Sequence, residues 1–232
     1  MGFVVLPALV KDISAVYDAY FAAFQDNAVT KALFPSATAA DMTDPNSEFR
    51  KAHTAHTQAY WSTDATQYTI KCVNTETGEV VGMALWDIYL TPSQWRRGEI
   101  SWLSGDERER AEKLISPLWD AREKLWLDQR YLYCHVIAVH PNYQRRGIGH
   151  MLMEFGIGVA QTADLPVYIE SSRDGTRLYE KLGCRRLKDP SHQREDKGKT
   201  DENGVGDDTE LALFVWVQDG REDKLPPAVE LA

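Results

Sequence analysis

The sequence predicts an α/β fold of the α+β kind, built as one domain around a parallel βαβ unit. Three observations predict it. The chain has 232 residues and is 43% apolar, which is enough to bury one full core. Tyr131 to Val139 is a β-branched and aromatic run without Gly or Pro, the pattern of a buried strand; His140-Pro141-Asn142-Tyr143 then breaks it. From Gly147 the period becomes helical, with Ile148, Met151, Leu152, Phe155 and Val159 on one face, and a further strand, Leu165 to Ser172, follows. Two strands joined through one helix should lie parallel, with a right-handed crossover.

In chain order, Phe3 to Leu6 reads as a short strand and Asp12 as an N-cap. Ile13, Val16, Tyr17, Tyr20, Phe21 and Phe24 then recur at helical spacing. Met42 to Asn46 is loop-like, and Ser47 to Trp61 reads as a second helix carrying His53 and His56. No Glu or Cys completes a metal set around those histidines, so they are read as packing or solvent-facing side chains, and no metal is expected. Tyr68 to Val73 and Val80 to Leu90 form a hairpin with its tip at Gly78, and its second strand holds Asp87 in an apolar run. Residues 91–130 form an inserted segment with Trp95, Trp102, Trp119 and Trp126. Asp106 to Arg130 is helix-prone, with a break expected at Pro117. The tryptophans are read first as packing and second as a substrate cleft wall. After the central unit, Gly175 to Leu182 is a helix closed by Gly183, and Cys184 to Leu187 starts another strand. Residues 189–208 are almost free of apolar side chains and read as a mobile, solvated loop. Glu210 to Gln218 returns as a strong strand, and the tail around Pro226-Pro227 reads as loose.

Composition narrows the partners. The formal charge is −9, from 35 acidic and 26 basic residues, which argues against nucleic acid because phosphate binding needs a basic face. Cys72, Cys134 and Cys184 are scattered and strand-like, the pattern of reduced buried thiols. The apolar start, Met1 to Leu6, lacks a basic flank and meets Pro7, so neither a signal peptide nor a membrane span is expected. The expectation is a soluble cytoplasmic protein, with a nuclear location left open, and a homodimer is compatible with everything above.

The loop Gln144-Arg145-Arg146-Gly147-Ile148-Gly149 is the most informative stretch. Glycines at the mouth of a helix leave backbone N–H groups uncovered, and the helix dipole and two guanidiniums add positive potential, so the loop suits a pyrophosphate. The spacing fits neither a Walker loop nor a dinucleotide fingerprint. The run V-x-P-x-Y-Q-R-R-G-I-G after a strand resembles the acetyl-CoA motif of the GNAT (GCN5-related) N-acetyltransferase superfamily. Leu178-Tyr179-Glu180-Lys181-Leu182-Gly183 resembles that family's second motif, in the right order. The resemblance is close over residues 131–187. It implies a single N-acetyltransferase domain over 1–232, with a central mixed, mostly antiparallel sheet of about seven strands flanked by helices and a parallel βαβ cofactor unit.

The resemblance also implies an activity, acetyl transfer from acetyl-CoA to a primary amine by direct attack in a ternary complex. An amine near pKa 10.4 is protonated at neutral pH, so a base is needed. The resemblance assigns the pantetheine arm to the backbone of Ile137, Ala138 and Val139. It assigns the pyrophosphate to Gln144, Arg145, Arg146, Gly147, Ile148, Gly149 and His150. Tyr179 stands where many family members protonate the departing thiolate, and Glu170, at the end of its strand, is the leading base candidate, with Asp87 second. Ser172 and Arg173 are candidates for touching the cofactor. The acceptor is a small-molecule or peptide amine. The alternative is a non-catalytic acyl-CoA-binding or sensing module that keeps the phosphate loop and has no need of Tyr179 or Glu170.

Overall fold

The computed structural model describes residues 2–188 and 211–232. A seven-stranded sheet organises them: β1 (Phe3–Pro7), β2 (Gln67–Asn74), β3 (Val80–Tyr89), β4 (Tyr131–Val139), β5 (Val167–Ser171), β6 (Arg185–Arg186) and β7 (Ala212–Trp216). Their order across the sheet is β1-β2-β3-β4-β5-β7-β6. Every neighbouring pair is antiparallel except β4 and β5, which run parallel as the βαβ reading requires. The hairpin turns at Gly78, whose φ of +75° is natural only for glycine in a tight turn.

Side-chain alternation gives the sheet two faces. On one face, α6 (Ile148–Ala163) and α7 (Arg173–Lys181) cover Trp86, Leu132, Cys134, Val167, Ile169 and Phe214. On the other, α1 (Ile13–Phe24) covers Met83, Leu85 and Ala138, and α5 (Gly105–Trp126) covers Tyr131, Tyr133, Tyr168 and Val215 through Ala121, Leu125 and Trp126. Three further helices, α2 (Ala28–Leu33), α3 (Ala39–Thr43) and α4 (Glu48–Thr63), extend the α1 side. Cys72, Cys134 and Cys184 are buried free thiols. Among the described residues no helix is long and apolar enough to cross a membrane.

Several sequence expectations change. Pro117 does not break its helix: α5 runs unbroken from Gly105 to Trp126. Losing one backbone hydrogen bond at Pro costs about 3 kcal/mol. Here Ala111 and Ile115 anchor the first half in one apolar cluster while Ala121, Leu125 and Trp126 anchor the second half in another, which offsets that cost. Met42 is not in a loop but in α3, whose start is capped by a reciprocal Thr38–Asp41 pair. Asp12 does not cap α1 with its side chain: the carboxylate accepts from Leu9 N–H at 2.9 Å and pairs with Lys71 at 2.7 Å.

The tail is also not loose. Leu225, Val229 and Leu231 pack under the sheet, Leu231 bridges Leu187, and Lys188 N–H donates to the Glu230 carbonyl at 2.9 Å. A short edge strand such as β6 has an unpaired side, and the tail covers it. The expectation of a mobile loop over 189–208 falls outside the described residues.

Candidate active site

The pairing of β4 opens at one point. Against β5 it covers only Leu132↔Val167, Tyr133↔Tyr168 and Cys134↔Ile169, whereas against β3 it continues to Gly82↔Val139. The β5-facing backbone edge of β4 beyond Cys134 therefore has no strand partner. At the same point β4 carries a bulge: Trp86 pairs Cys134 and Leu85 pairs Val136, leaving His135 as the extra residue. Ile137 and Val139 pack against the α6 face and Ala138 against the α1 face, so their side chains are committed to the core and their main chain lines the opening. An extended, amide-bearing molecule fits such an edge because it can continue the ladder.

The mouth of α6 closes the wide end of this opening. The main chain is left-handed at Arg145 (φ +63°) and again at Gly147 (φ +86°), which is the N-cap of α6. The first intrahelical bond is Met151 N–H to the Gly147 carbonyl at 3.1 Å, so the amides of Ile148, Gly149 and His150 precede the ladder and have no helical acceptor. Gln144 is exposed and folds back on the strand, its Nε2 donating to the Val139 carbonyl at 3.2 Å, and the Arg146 guanidinium lies 5.2 Å from the Tyr143 ring centre. The His150 imidazole pairs along the helix with Glu154 at 3.1 Å, so it is the backbone of residue 150 that faces the mouth. A side chain at Gly149 would sit 3.2 Å from Leu178, which keeps α6 close to α7. Ser172 caps α7 without a side-chain cap bond, and its carbonyl accepts from the Ser171 hydroxyl at 2.8 Å.

On the α5 face the opening is bordered by a buried polar cluster. Glu170, on β5, accepts from the Tyr133 hydroxyl at 2.8 Å through Oε2, while Oε1 is buried with no hydrogen-bond partner. Burial pushes this carboxyl above its usual range, and the Tyr133 hydrogen bond and the Arg122 charge only partly oppose it. Asp87, on β3, behaves the opposite way. Burial alone would raise it, but His135 and Arg122 hold it below the usual range, with Arg122 Nη2 at 3.0 Å and His135 Nδ1 at 3.9 Å. The Arg122 guanidinium from α5 also donates to the Tyr131 hydroxyl at 3.0 Å and the Tyr89 hydroxyl at 3.1 Å. Its carbon lies 3.8 Å from the Tyr133 ring centre and 4.1 Å from that of Trp95.

The structure thus brings Glu170 and Asp87 to one face, joined through Tyr133 and Arg122, and puts Tyr179 on the other. Tyr179 is almost fully buried, with burial and the neighbouring Cys134 and Cys184 thiols pushing its hydroxyl well above the ordinary phenol range. Because Cys134 is the last β4 residue paired with β5, this hydroxyl lies near the apex of the opening.

The sequence model of the acetyltransferase (GNAT) family matches residues 28–184. The chain belongs to the GNAT family. A curated relative, the probable acyltransferase SID5 of Ajellomyces capsulatus, is 32% identical over 108 residues, which is 45% of this chain and 74% of that protein. Among solved structures, arylalkylamine N-acetyltransferase 2 from Aedes aegypti superposes with a TM-score of 0.62 at 14% identity, covering 94% of this chain and 99% of that one. An acetyltransferase from Corynebacterium glutamicum, described as histone acetyltransferase HPA2 and related acetyltransferase, gives 0.53 at 20% identity, covering 97% of each chain. At these identities the structures establish a shared GNAT fold.

Three residues of this candidate site are not marked in the sequence: Arg122, Tyr133 and His135. Tyr133 was visible only as one member of an aromatic strand. His135 becomes distinctive only through the bulge, which is a matter of register between β3 and β4. Arg122 is one cation in a charged helix, and nothing local marks it. Of the insert tryptophans, Trp126 is buried as packing, Trp95 lies on Arg122, and Trp102 is largely exposed with its Nε1 donating to the Leu33 carbonyl at 3.0 Å. The expectation of packing histidines in α4 is met at His53, whose ring lies 4.4 Å from Tyr17 and 5.0 Å from Phe21. Among the described residues no group of three or more metal-ligating side chains is clustered.

Proposed function

We propose that this GNAT protein transfers an acetyl group from acetyl-CoA to a primary amine by direct attack in a ternary complex. One observation carries the reading: the unpaired β4 edge runs from the amide-rich mouth at Gly147 to an apex flanked by Glu170 on one face and Tyr179 on the other. The residues present fit the cosubstrate. The amides of Ile148, Gly149 and His150 suit a diphosphate, and the main chain of Ile137 to Val139 suits the amide-bearing arm. Bound there, acetyl-CoA supplies a thioester whose carbonyl carbon accepts the nitrogen and whose sulfur departs.

The protein's own residues would supply the proton handling. A carboxyl that burial holds above its usual range is a stronger base than an ordinary carboxylate for taking a proton from an ammonium, directly or through one water, and the unpartnered Oε1 of Glu170 is the acceptor atom. Tyr133 already donates to Oε2, so the incoming proton has one oxygen left to it. Asp87 is held ionised by its partners and is better suited to orienting His135 and Arg122. Tyr179 would return a proton to the departing sulfur. Burial holds this hydroxyl well above the ordinary phenol range and weakens it as an acid, so the transfer depends on its closeness to the departing sulfur rather than on its acidity. The acceptor is a small-molecule or peptide amine, and the chain's net charge of −9 favours a cationic one.

Incubation with acetyl-CoA and a panel of amines, following free thiol, tests the reading. Thiol release that depends on one class of amine is expected, with an acidic limb in the pH–rate profile that Glu170→Gln removes. Saturable acetyl-CoA binding with no thiol release on any amine would instead support the non-catalytic acyl-CoA-binding module.

A further inference from the structure

The inserted segment brings one side chain to the reaction wall that the mechanism above leaves without a task. Arg122 is a guanidinium only 3% exposed, reaching from α5 to strands β3 and β4. Burying a cation is costly unless it is paired and hydrogen-bonded, and a salt bridge in such a place seldom adds net stability. Here Arg122 bonds Asp87, Tyr89 and Tyr131, and its central carbon lies over the rings of Tyr133 and Trp95. A purely structural tie between α5 and the sheet needs none of this, since Trp126 already packs on Tyr131 and Tyr168 with ring centres 4.7 and 5.3 Å apart.

We infer that Arg122 is a positioning residue for proton transfer at Glu170: the guanidinium clamps the Tyr133 ring, whose hydroxyl holds one oxygen of the carboxylate and leaves the other, buried and without a hydrogen-bond partner, to take the proton. The inference rests on Glu170 being the base. The chain of contacts is short and continuous, 3.8 Å from guanidinium to ring centre and 2.8 Å from hydroxyl to carboxylate. A stacked guanidinium fixes a ring more tightly than an ammonium does, because it is planar and forked. Its charge acts too. Glu170 faces Tyr168 from its own strand, Tyr133 and His135 from β4, and Arg122 from α5, with Asp87 and Tyr89 behind Arg122 on β3. Arg122 is the permanent cation of that group, and it opposes the rise that burial imposes on Glu170. Without it the carboxyl would hold its proton to higher pH and serve as base only there.

The test compares Arg122→Gln, Arg122→Lys and Glu170→Gln by pH–rate profile, with acetyl-CoA titration and thermal melting alongside. In Arg122→Gln the acidic limb of kcat/KM should move up by about one pH unit, the lower end of what a close charge does to a carboxyl. Arg122→Lys should keep the limb in place, because the charge remains, while kcat falls because the fork is lost. Affinity for acetyl-CoA should stay within twofold in both, since Arg122 lies outside the Gly147 mouth. If Arg122→Gln does not fold, owing to the stranded Asp87 charge, the paired Asp87→Asn/Arg122→Gln variant is compared with Asp87→Asn alone, so that only the Arg122 charge differs, and its limb should lie at higher pH than that of Asp87→Asn. A limb unmoved from its reference, the parent for Arg122→Gln and Asp87→Asn for the paired variant, overturns the inference, as does an equal shift in Arg122→Lys. If Glu170→Gln itself keeps the limb, the base assignment fails instead, and the two failures are told apart by that variant alone.

Discussion

Gly156 shows how closely α6 is fitted to the sheet. A Cβ built there would lie 2.2 Å from the Trp86 ring, deep in the core where neither side can move. Gly156→Ala should therefore cost about 2 kcal/mol or more, the upper part of the usual overpacking range, and chemical denaturation would measure it. An unchanged midpoint would mean that α6 can lift off the sheet. Gly147 makes the complementary case, because nothing surrounds it but its φ is +86°. Gly147→Ala should cost only about 1 kcal/mol in stability, the ordinary penalty for a Cβ in left-handed backbone. Its larger effect should be on acetyl-CoA affinity, by disturbing the amides of residues 148–150; calorimetric titration beside a melt separates the two. Tyr179→Phe belongs to the same scale. With its hydroxyl beside Cys134 at the apex, the variant should lower kcat severalfold and leave acetyl-CoA affinity nearly unchanged, and identical kcat across pH would remove Tyr179 from the chemistry.

Between elements, the α1–α4 contact carries a titration of its own. His53 on α4 sits in a nest of Tyr17, Phe21, Phe34 and Phe49, and burial, with the nearby Arg50 charge, pushes it down to about 4 from an ordinary value of 6.5. Between those two values the unfolded chain binds a proton that the folded chain refuses, so folding stability is full above about pH 6.5 and declines as the pH falls toward 4. By linkage the loss at pH 5 is about 2 kcal/mol. His53→Phe keeps a ring in the nest and has no proton to take up, so its melting temperature should drop less than the parent's between pH 7.5 and pH 5; an equal drop would place the acid sensitivity elsewhere. The same scale shows what the sequence made legible. The strand, loop and helix around Gly147 were readable because backbone conformation there is written in neighbouring residues: Pro141, the two glycines, the change of period. The wall around Glu170 was not, because Arg122 reaches Asp87 across 35 positions of chain and His135 depends on a register slip between two strands. Pro117 misled for the same reason, since tertiary clusters at both ends of α5 outweigh its local preference.

At the scale of the whole molecule, the tail links stability to the polar wall around Glu170 and Arg122. Leu225, Val229 and Leu231 pack into the cluster that also contains Trp126, Tyr131, Tyr133 and Tyr168, the aromatic floor beneath Arg122 and Glu170. The bonds from Lys188 to the Glu230 carbonyl and from Ala232 to the Arg186 carbonyl hold that segment along the outer edge of β6. Removing residues 225–232 strips three half-buried aliphatic side chains and uncovers Leu187, at about 1 kcal/mol for each side chain, or roughly 3 kcal/mol in all. The amide-rich mouth at Gly147 rests on the opposite face, supported by α6, α7 and the cluster around Trp86 and Leu152. The two ends of the opening should therefore respond differently. The truncated chain is expected to melt at a lower temperature and to lose turnover as Tyr133 loosens from Glu170, while still binding acetyl-CoA with near-parental affinity at a temperature where it remains folded. Parallel loss of binding and turnover would show that the sheet transmits disorder from one face to the other, and the division of labour between the mouth and the wall would have to be given up.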